Sequence, residues 1–313
     1  MKLLVLGLDC AAPEILLADE RLVNFRRLME VGAYGRLESV VPPITVPAWM
    51  CMATSQDPGS LGVYGFRNRT DHSYGGLGIV DSRSFRALTI WDQVAREGGR
   101  SILIGVPPSF PPRKVAGISV GCFLTPDTDR EVFTHPARVS DEIRALVGHY
   151  PVDVKGFRTD EKDWLRRQIF EMSRTQWRVV RHLLANEEWD YFQFVDIGLD
   201  RVHHGFWQHH DPRHVAYEAG NPYENVIRDY YLHLDEELGQ VLELLDDDTA
   251  VLVLSDHGAR PLDGGFCVNE WLVQQGLLVL NRYPEQVTPF ARLDVDWSRT
   301  KVWSEGGYYA RVF

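Results

Sequence analysis

Residues 251–260 read VLVLSDHGAR. The apolar run, half of it β-branched, stops at Ser255-Asp256-His257-Gly258. A short continuous apolar run bounded by a glycine fits a strand buried on both faces. Widened to AVLVLS (250–255), it has three counterparts: KLLVLGLD (2–9), SILIGV (101–106) and YFQFVD (191–196). Helix-like stretches at 89–99, 161–188 and 224–247 precede three of the four. In the last, Val226, Tyr230, Leu234, Leu238, Val241 and Leu245 recur close to a 3.6-residue period. This alternation predicts an α/β fold with a mainly parallel central sheet and helices on both faces. One domain is expected over 1–313. A small cap or insertion near the strand ends is expected at about 107–160, where Pro and Gly are frequent at first.

In such sheets ligands gather beyond the carboxyl ends of the strands. Asp9, Asp200 and the Asp256-His257 pair all follow strand candidates there. The first strand runs into DCAAPE, not a Gly-rich loop, which gives a dinucleotide fold little support. Within VDIGLDRVHHGFWQHHDPRH (195–214), a helix starting at or just after Asp200 sets His204 four residues on, with His203 as competitor. An Asp and a neutral imidazole so placed can bind zinc or manganese. The plainer reading is a solvated, His-rich helix start that includes His209, His210 and His214. PPITVPAWMCMATSQDPGSLGVYGFRNR (42–69) supports a helix with Pro47 in its first turn and Thr45 at or just before its N-terminus. Thr45 is there either an N-cap or a hydroxyl whose alkoxide the helix dipole favours as a nucleophile. Arg67, Asn68 and Arg69 form either a solvated turn or a contact for a phosphate or leaving group.

The 44% hydrophobic and 25% charged fractions are ordinary for a globular protein. A net charge of −11 argues against a nucleic-acid-binding surface. It leaves room for an anionic substrate, because bound divalent cations invert the local field. Cys10, Cys51, Cys122 and Cys267 are widely spaced, as expected of reduced thiols in a cytoplasmic protein. The first apolar run ends at Asp9, too short for a secretory signal, and no stretch approaches the ~20 apolar residues of a membrane span. Nothing in the sequence fixes an oligomeric state.

In chain order, GLD (7–9), PPITVPAW (42–49), LDRVHHGFW (199–207), NPYENVIRDYYLHLDEELG (221–239) and SDHGA (255–259) resemble the alkaline phosphatase superfamily. The wording is that of its type I phosphodiesterase/nucleotide pyrophosphatase branch, and the resemblance covers nearly the whole chain. It implies two divalent cations, zinc first and manganese second. Asp9, Thr45, Asp256 and His257 would surround one, and Asp200 with His204 would hold the other. It further implies attack by Thr45 on the phosphorus of a small phosphorylated substrate, a phosphothreonine intermediate, and hydrolysis. Phosphodiester hydrolysis is the expected activity. A phosphomonoesterase of the same superfamily and a non-catalytic protein binding a phosphorylated ligand are the alternatives. Sulfatases need a C/S-x-P-x-R context, whereas VPAW follows Thr45. Cofactor-independent phosphoglycerate mutases use a serine and a large inserted domain.

Three positions depart from the family pattern. Relatives supply a third ligand to the Asp200/His204 metal from a downstream histidine, and no histidine follows His257. The resemblance therefore implies a further C-terminal stretch beyond KVWSEGGYYARVF; the alternative is substitution by Glu305 or by one of His203, His209 and His210. Leu61 stands where many relatives have the histidine of a Pro-Gly-x-His-Gly phrase. Phe66 lies near the place of an asparagine that contacts the phosphoryl group in nucleotide pyrophosphatases. Nucleotide specificity is thus not implied.

Overall fold

The computed structural model describes residues 1–71, 73–75 and 77–313. Its strands are β1 (Lys2–Leu8), β2 (Arg67–Arg69), β3 (Leu77–Ile79), β4 (Ser101–Ile104), β5 (Gly117–Val120), β6 (Thr134–His135), β7 (Tyr191–Asp196), β8 (Thr249–Leu254), β9 (Ser304–Gly306) and β10 (Ala310–Val312). The helices are α1 (Pro13–Leu16), α2 (Val23–Val31), α3 (Thr45–Thr54), α4 (Pro58–Leu61), α5 (Ile90–Arg96), α6 (Arg138–Val147), α7 (Lys162–Asn186), α8 (Gly198–His210), α9 (Val226–Leu242) and α10 (Val268–Gln274).

The four apolar runs are the four neighbouring strands at the centre and one edge of a six-stranded sheet, ordered β6-β5-β4-β7-β1-β8. All pairings are parallel except β5 with β6. β4 and β7 are buried along their whole length, which is why their sequences show no alternation. β1 divides its side chains between two cores. Leu4, Leu6 and Leu8 join a large cluster with Val180 and Leu183 of α7, Val202 of α8 and Leu234 of α9. Val5 faces the other way, with Leu103, Val195 and Trp49 of α3, and Trp91 of α5 packs on that cluster. The expected α/β architecture with helices on both faces is therefore present.

Gly7 of β1 is required by this second core. A β-carbon there would lie 2.4 Å from the Trp49 ring, so only glycine lets α3 sit this close to the strand.

Residues 107–160, expected as a cap or insertion, supply β5, β6 and α6, with β5 and β6 continuing the main sheet. The proline-rich start hid a four-residue strand too short to show a pattern. The chain divides into two compact units, Met1–Pro261 and Leu262–Phe313. The second unit packs Leu272, Leu278 and Trp303 at its centre, and Asn269 exchanges hydrogen bonds with the Ser304 backbone at 2.7 and 2.8 Å. The four cysteines are free thiols. Among the described residues no helix is long and apolar enough to cross a membrane.

Candidate metal centre

Register brings the strand ends together. Leu8 pairs with Asp196 across β1 and β7, and Gly7 with Leu254 across β1 and β8, so the residues that follow leave one edge of the sheet. After Asp9 the chain turns sharply at Cys10, whose φ of 68° costs a non-glycine about 1 kcal/mol. Hydrogen bonds hold that turn. Cys10 N–H donates to Asp256 Oδ1 at 3.1 Å, Ala11 N–H to Ser255 Oγ at 2.8 Å, and Ala12 N–H to the Tyr231 hydroxyl at 2.8 Å. The loop after β1 is thereby fastened to the Ser255-Asp256-His257 end of β8.

Thr45 is the first residue of α3, and the N-cap position falls on Ile44 without a side-chain cap. The N-cap reading of Thr45 therefore fails. Its hydroxyl lies instead 3.1 Å from His257 Nε2 and 3.5 Å from Asp9 Oδ1. One turn along α3, Trp49 Nε1 donates to Asp9 Oδ2 at 2.8 Å. The helix that presents the hydroxyl thus also orients the neighbouring carboxylate.

Asp200 is set by a buried carboxylate that the sequence did not mark. Asp196, at the end of β7, accepts from Leu199 N–H (3.1 Å), the Tyr230 hydroxyl (2.8 Å), Trp177 Nε1 (2.9 Å) and Ser173 Oγ (3.2 Å). These bonds fix the first turn of α8, which begins at Gly198, two residues before the predicted start. Gly198 has no room for a β-carbon, which would meet the Tyr230 hydroxyl at 2.0 Å. Asp200 then meets His204 one turn on, with Oδ1 and Nε2 3.3 Å apart. His203 is buried, its ring against Trp207 and Tyr231 at centroid distances of 5.1 and 5.8 Å. Of the two histidines, His204 is the one that meets the Asp200 carboxylate.

Burial, and then the charges of Asp256 and Asp200, push the Asp9 carboxyl well above the ordinary range. Burial, followed among the charges by Asp200, does the same to Asp256. Burial also pushes Asp200 upward, but the His204 hydrogen bond and the Arg201 and His204 charges outweigh it and hold this group below the usual range. His257 Nε2 lies 3.4 Å from Asp256 Oδ2 and 3.7 Å from Asp9 Oδ1. In the neutral ring, donation of Nδ1–H to the Gly258 carbonyl at 3.1 Å leaves the Nε2 lone pair facing these groups.

Donor atoms of Asp9, Asp256 and His257 all lie within 4.8 Å of one another. Asp256 Oδ2 is buried and has no hydrogen-bond partner among the described residues. Crowded buried carboxylates, an orphaned oxygen and an imidazole lone pair are a poor arrangement alone and a good one around a divalent cation. The donor set fits the implied metal.

The remaining predicted residues fall elsewhere. Arg67, Asn68 and Arg69 form β2, paired with β3. Asn68 Nδ2 donates to the Gly62 carbonyl at 2.7 Å, and Arg69 Nη2 donates to the Ser73 carbonyl, so both serve the local backbone. His210 Nδ1–H donates to the Glu224 carbonyl, and the His209 ring packs on Tyr223. Glu305 belongs to β9 of the second unit. Trp49 and Asp196 were missed by sequence reasoning. The Gly-Leu-Asp phrase beside a tryptophan four residues after Thr45 was the available signal for the first.

This mainly parallel sheet, with helices on both faces and Asp and His side chains converging at its carboxyl edge, defines an α/β protein with its candidate site at the strand ends. Residues 3–313 match the family described as type I phosphodiesterase / nucleotide pyrophosphatase, and the chain belongs to that family. Similar solved structures include phosphonoacetate hydrolase from Sinorhizobium meliloti 1021 in complex with phosphonoformate, at 18% identity and a TM-score of 0.61. The same enzyme in complex with phosphonoacetate matches at 19% identity and a TM-score of 0.60. In both cases 91% of this chain is covered and 65% of the other, so the chain spans about two thirds of the length of these structures. No curated protein matches it.

Proposed function

We propose that this chain carries a metal-dependent phosphoester hydrolase centre of the phosphodiesterase type, with Thr45 as nucleophile. The observation that carries the reading is the Thr45 hydroxyl, 3.1 Å from His257 Nε2 and 3.5 Å from Asp9 Oδ1. Asp9, Thr45, Asp256 and His257 would hold one divalent cation, and Asp200 with His204 a second; zinc suits this nitrogen and oxygen set best, manganese next. Bound there, the cations supply positive charge that favours the Thr45 alkoxide and neutralises the phosphoryl oxygens.

The chain's own groups do the rest. The N-terminus of α3 favours negative charge on the Thr45 oxygen. Trp49 and the Cys10 N–H keep the Asp9 and Asp256 carboxylates fixed, so little reorganisation accompanies the reaction. Thr45 Oγ forms a bond to phosphorus as the bond to the leaving oxygen breaks, giving a phosphothreonine that water then hydrolyses. The substrate is a small phosphorylated molecule. Of the Arg67, Asn68 and Arg69 trio, Arg67 is the one proposed for the leaving-group side, since Asn68 and Arg69 hold the Gly62 and Ser73 carbonyls. Phe66 next to Arg67 packs edge-on to Phe123, whose ring lies 5.4 Å from the Arg201 guanidinium. A cytoplasmic location accords with four free thiols.

A panel of aryl phosphodiesters and phosphomonoesters, assayed with added zinc or manganese, tests the proposal. Diester hydrolysis that disappears in Thr45→Ala with bound metal retained supports it. Hydrolysis unchanged in that variant removes Thr45 from its role. A panel dominated by monoesters reassigns the centre to a phosphomonoesterase. A metal-loaded wild type that cleaves neither is a ligand-binding relative.

A further inference from the structure

Arg201 follows Asp200 on α8, and its long cationic side chain is 91% buried; its own side-chain exposure is 9%. Nε and Nη2 donate to the two oxygens of Asp153 at 2.6 and 3.1 Å, a forked pairing that fixes the guanidinium plane. The remaining arm, Nη1, donates to Asp200 Oδ2. The guanidinium also packs on the Phe157 and Phe123 rings, at 4.5 and 5.4 Å. Asp200 therefore has Oδ2 on Arg201 and Oδ1 3.3 Å from His204 Nε2, and the Cys10 thiol hydrogen-bonds to the same carboxylate.

We propose that Arg201, locked by Asp153, is the positioning residue for the Asp200/His204 half of the metal centre. By taking one carboxylate oxygen it presents the other, together with His204 Nε2, to a divalent cation. This inference rests on the metal reading above. An aspartate that ligates a metal gains from such an anchor, because its side chain otherwise has to be ordered when the cation binds. A lysine is a single point charge on a flexible stem and cannot grip Asp153 in a fork while holding Asp200. A counter-charge that only stabilised the fold would have no reason to leave one Asp200 oxygen facing His204.

Zinc and manganese titrations of wild type, Arg201→Met, Arg201→Lys and Asp153→Asn, followed by calorimetry and by elemental analysis after dialysis, test it. Wild type is expected to bind two cations. Arg201→Met should keep one at wild-type affinity and bind the other about 10- to 100-fold more weakly. Asp153→Asn should shift the same site in the same direction, and Arg201→Lys should recover only part of the loss. A merely structural ion pair would lower the melting temperature without separating the two sites. Both cations binding at wild-type affinity in folded Arg201→Met or Asp153→Asn overturns the proposal. If Arg201→Met does not fold, Asp153→Asn decides alone. Wild type binding one cation, lost in Asp256→Asn, overturns this inference and leaves the Thr45-side centre standing. Wild type binding none overturns both.

Discussion

Thr45 Oγ1 and His257 Nε2 lie 3.1 Å apart although 212 positions separate them in the chain. The contact is made because α3 docks on β1 through Trp49 while β8 pairs with β1 on its edge. If the hydroxyl is the nucleophile, Thr45→Ala lowers phosphodiester turnover by on the order of 10³-fold or more. Thr45→Ser, which keeps the oxygen, retains a measurable fraction. Steady-state kinetics on metal-loaded protein check this, and equal rates in wild type and Thr45→Ala would contradict it.

Trp49 couples the fold to the centre. Trp49→Phe keeps most of the packing against β1 but removes the donor to Asp9 Oδ2. Cation affinity should fall about 10-fold or more while the melting temperature changes little. Gly7→Ala should do the reverse of a surgical change: a methyl 2.4 Å from the Trp49 ring forces α3 outward and destabilises by about 1–3 kcal/mol. Calorimetric titration and denaturant unfolding separate the two effects.

Acid sensitivity has a source outside the centre. His233 Nε2 meets Ser173 Oγ at 3.0 Å, and burial, then Arg174 and Arg181, push its pKa down to about 4. The unfolded histidine titrates near 6.5. Between these values the unfolded chain binds a proton that the native chain does not, so stability falls as the pH drops from about 6.5 to about 4. The contribution is complete above 6.5. His233→Gln should shrink the stability difference between pH 7 and pH 5 by about 2 kcal/mol. Denaturant midpoints at the two pH values measure it, and an undiminished difference would assign the acid loss to other groups.

The proposed leaving-group side gives a kinetic signature. Arg67→Ala should raise KM severalfold with kcat nearly unchanged, as expected for binding made equally in ground and transition states. Asn68→Ala should act through the hairpin instead, because its amide holds the Gly62 carbonyl. A fall in kcat with unchanged KM in Arg67→Ala would place that side chain in the reaction rather than in binding.

Much of the scaffold was legible because burial on both faces writes itself as uninterrupted apolar runs. Lys2–Leu8, Tyr191–Asp196 and Thr249–Leu254 emerged nearly at their predicted bounds. β5 and β6 were not legible, since strands of four and two residues carry too little pattern to stand out from a proline-rich stretch. At the centre, Asp9, Thr45, Asp256 and His257 come together, as do Asp200 and His204. Their supports stayed hidden for a physical reason. Trp49, Asp196 and the Asp153–Arg201 fork act through side-chain partners tens of positions apart, and periodicity reports only which face a residue occupies. Asp196 could pass for the last residue of a strand until its four donors were seen.

The central claim is that crowded acids and a histidine lone pair at the strand ends hold divalent cations. Elemental analysis of zinc and manganese in protein purified without chelator, beside an Asp256→Asn variant of equal stability, tests it most directly. The account predicts bound cation in wild type, about two per chain when both halves are filled, and loss of at least one in the variant. A folded wild-type chain that holds no zinc or manganese after equilibration with either would contradict it.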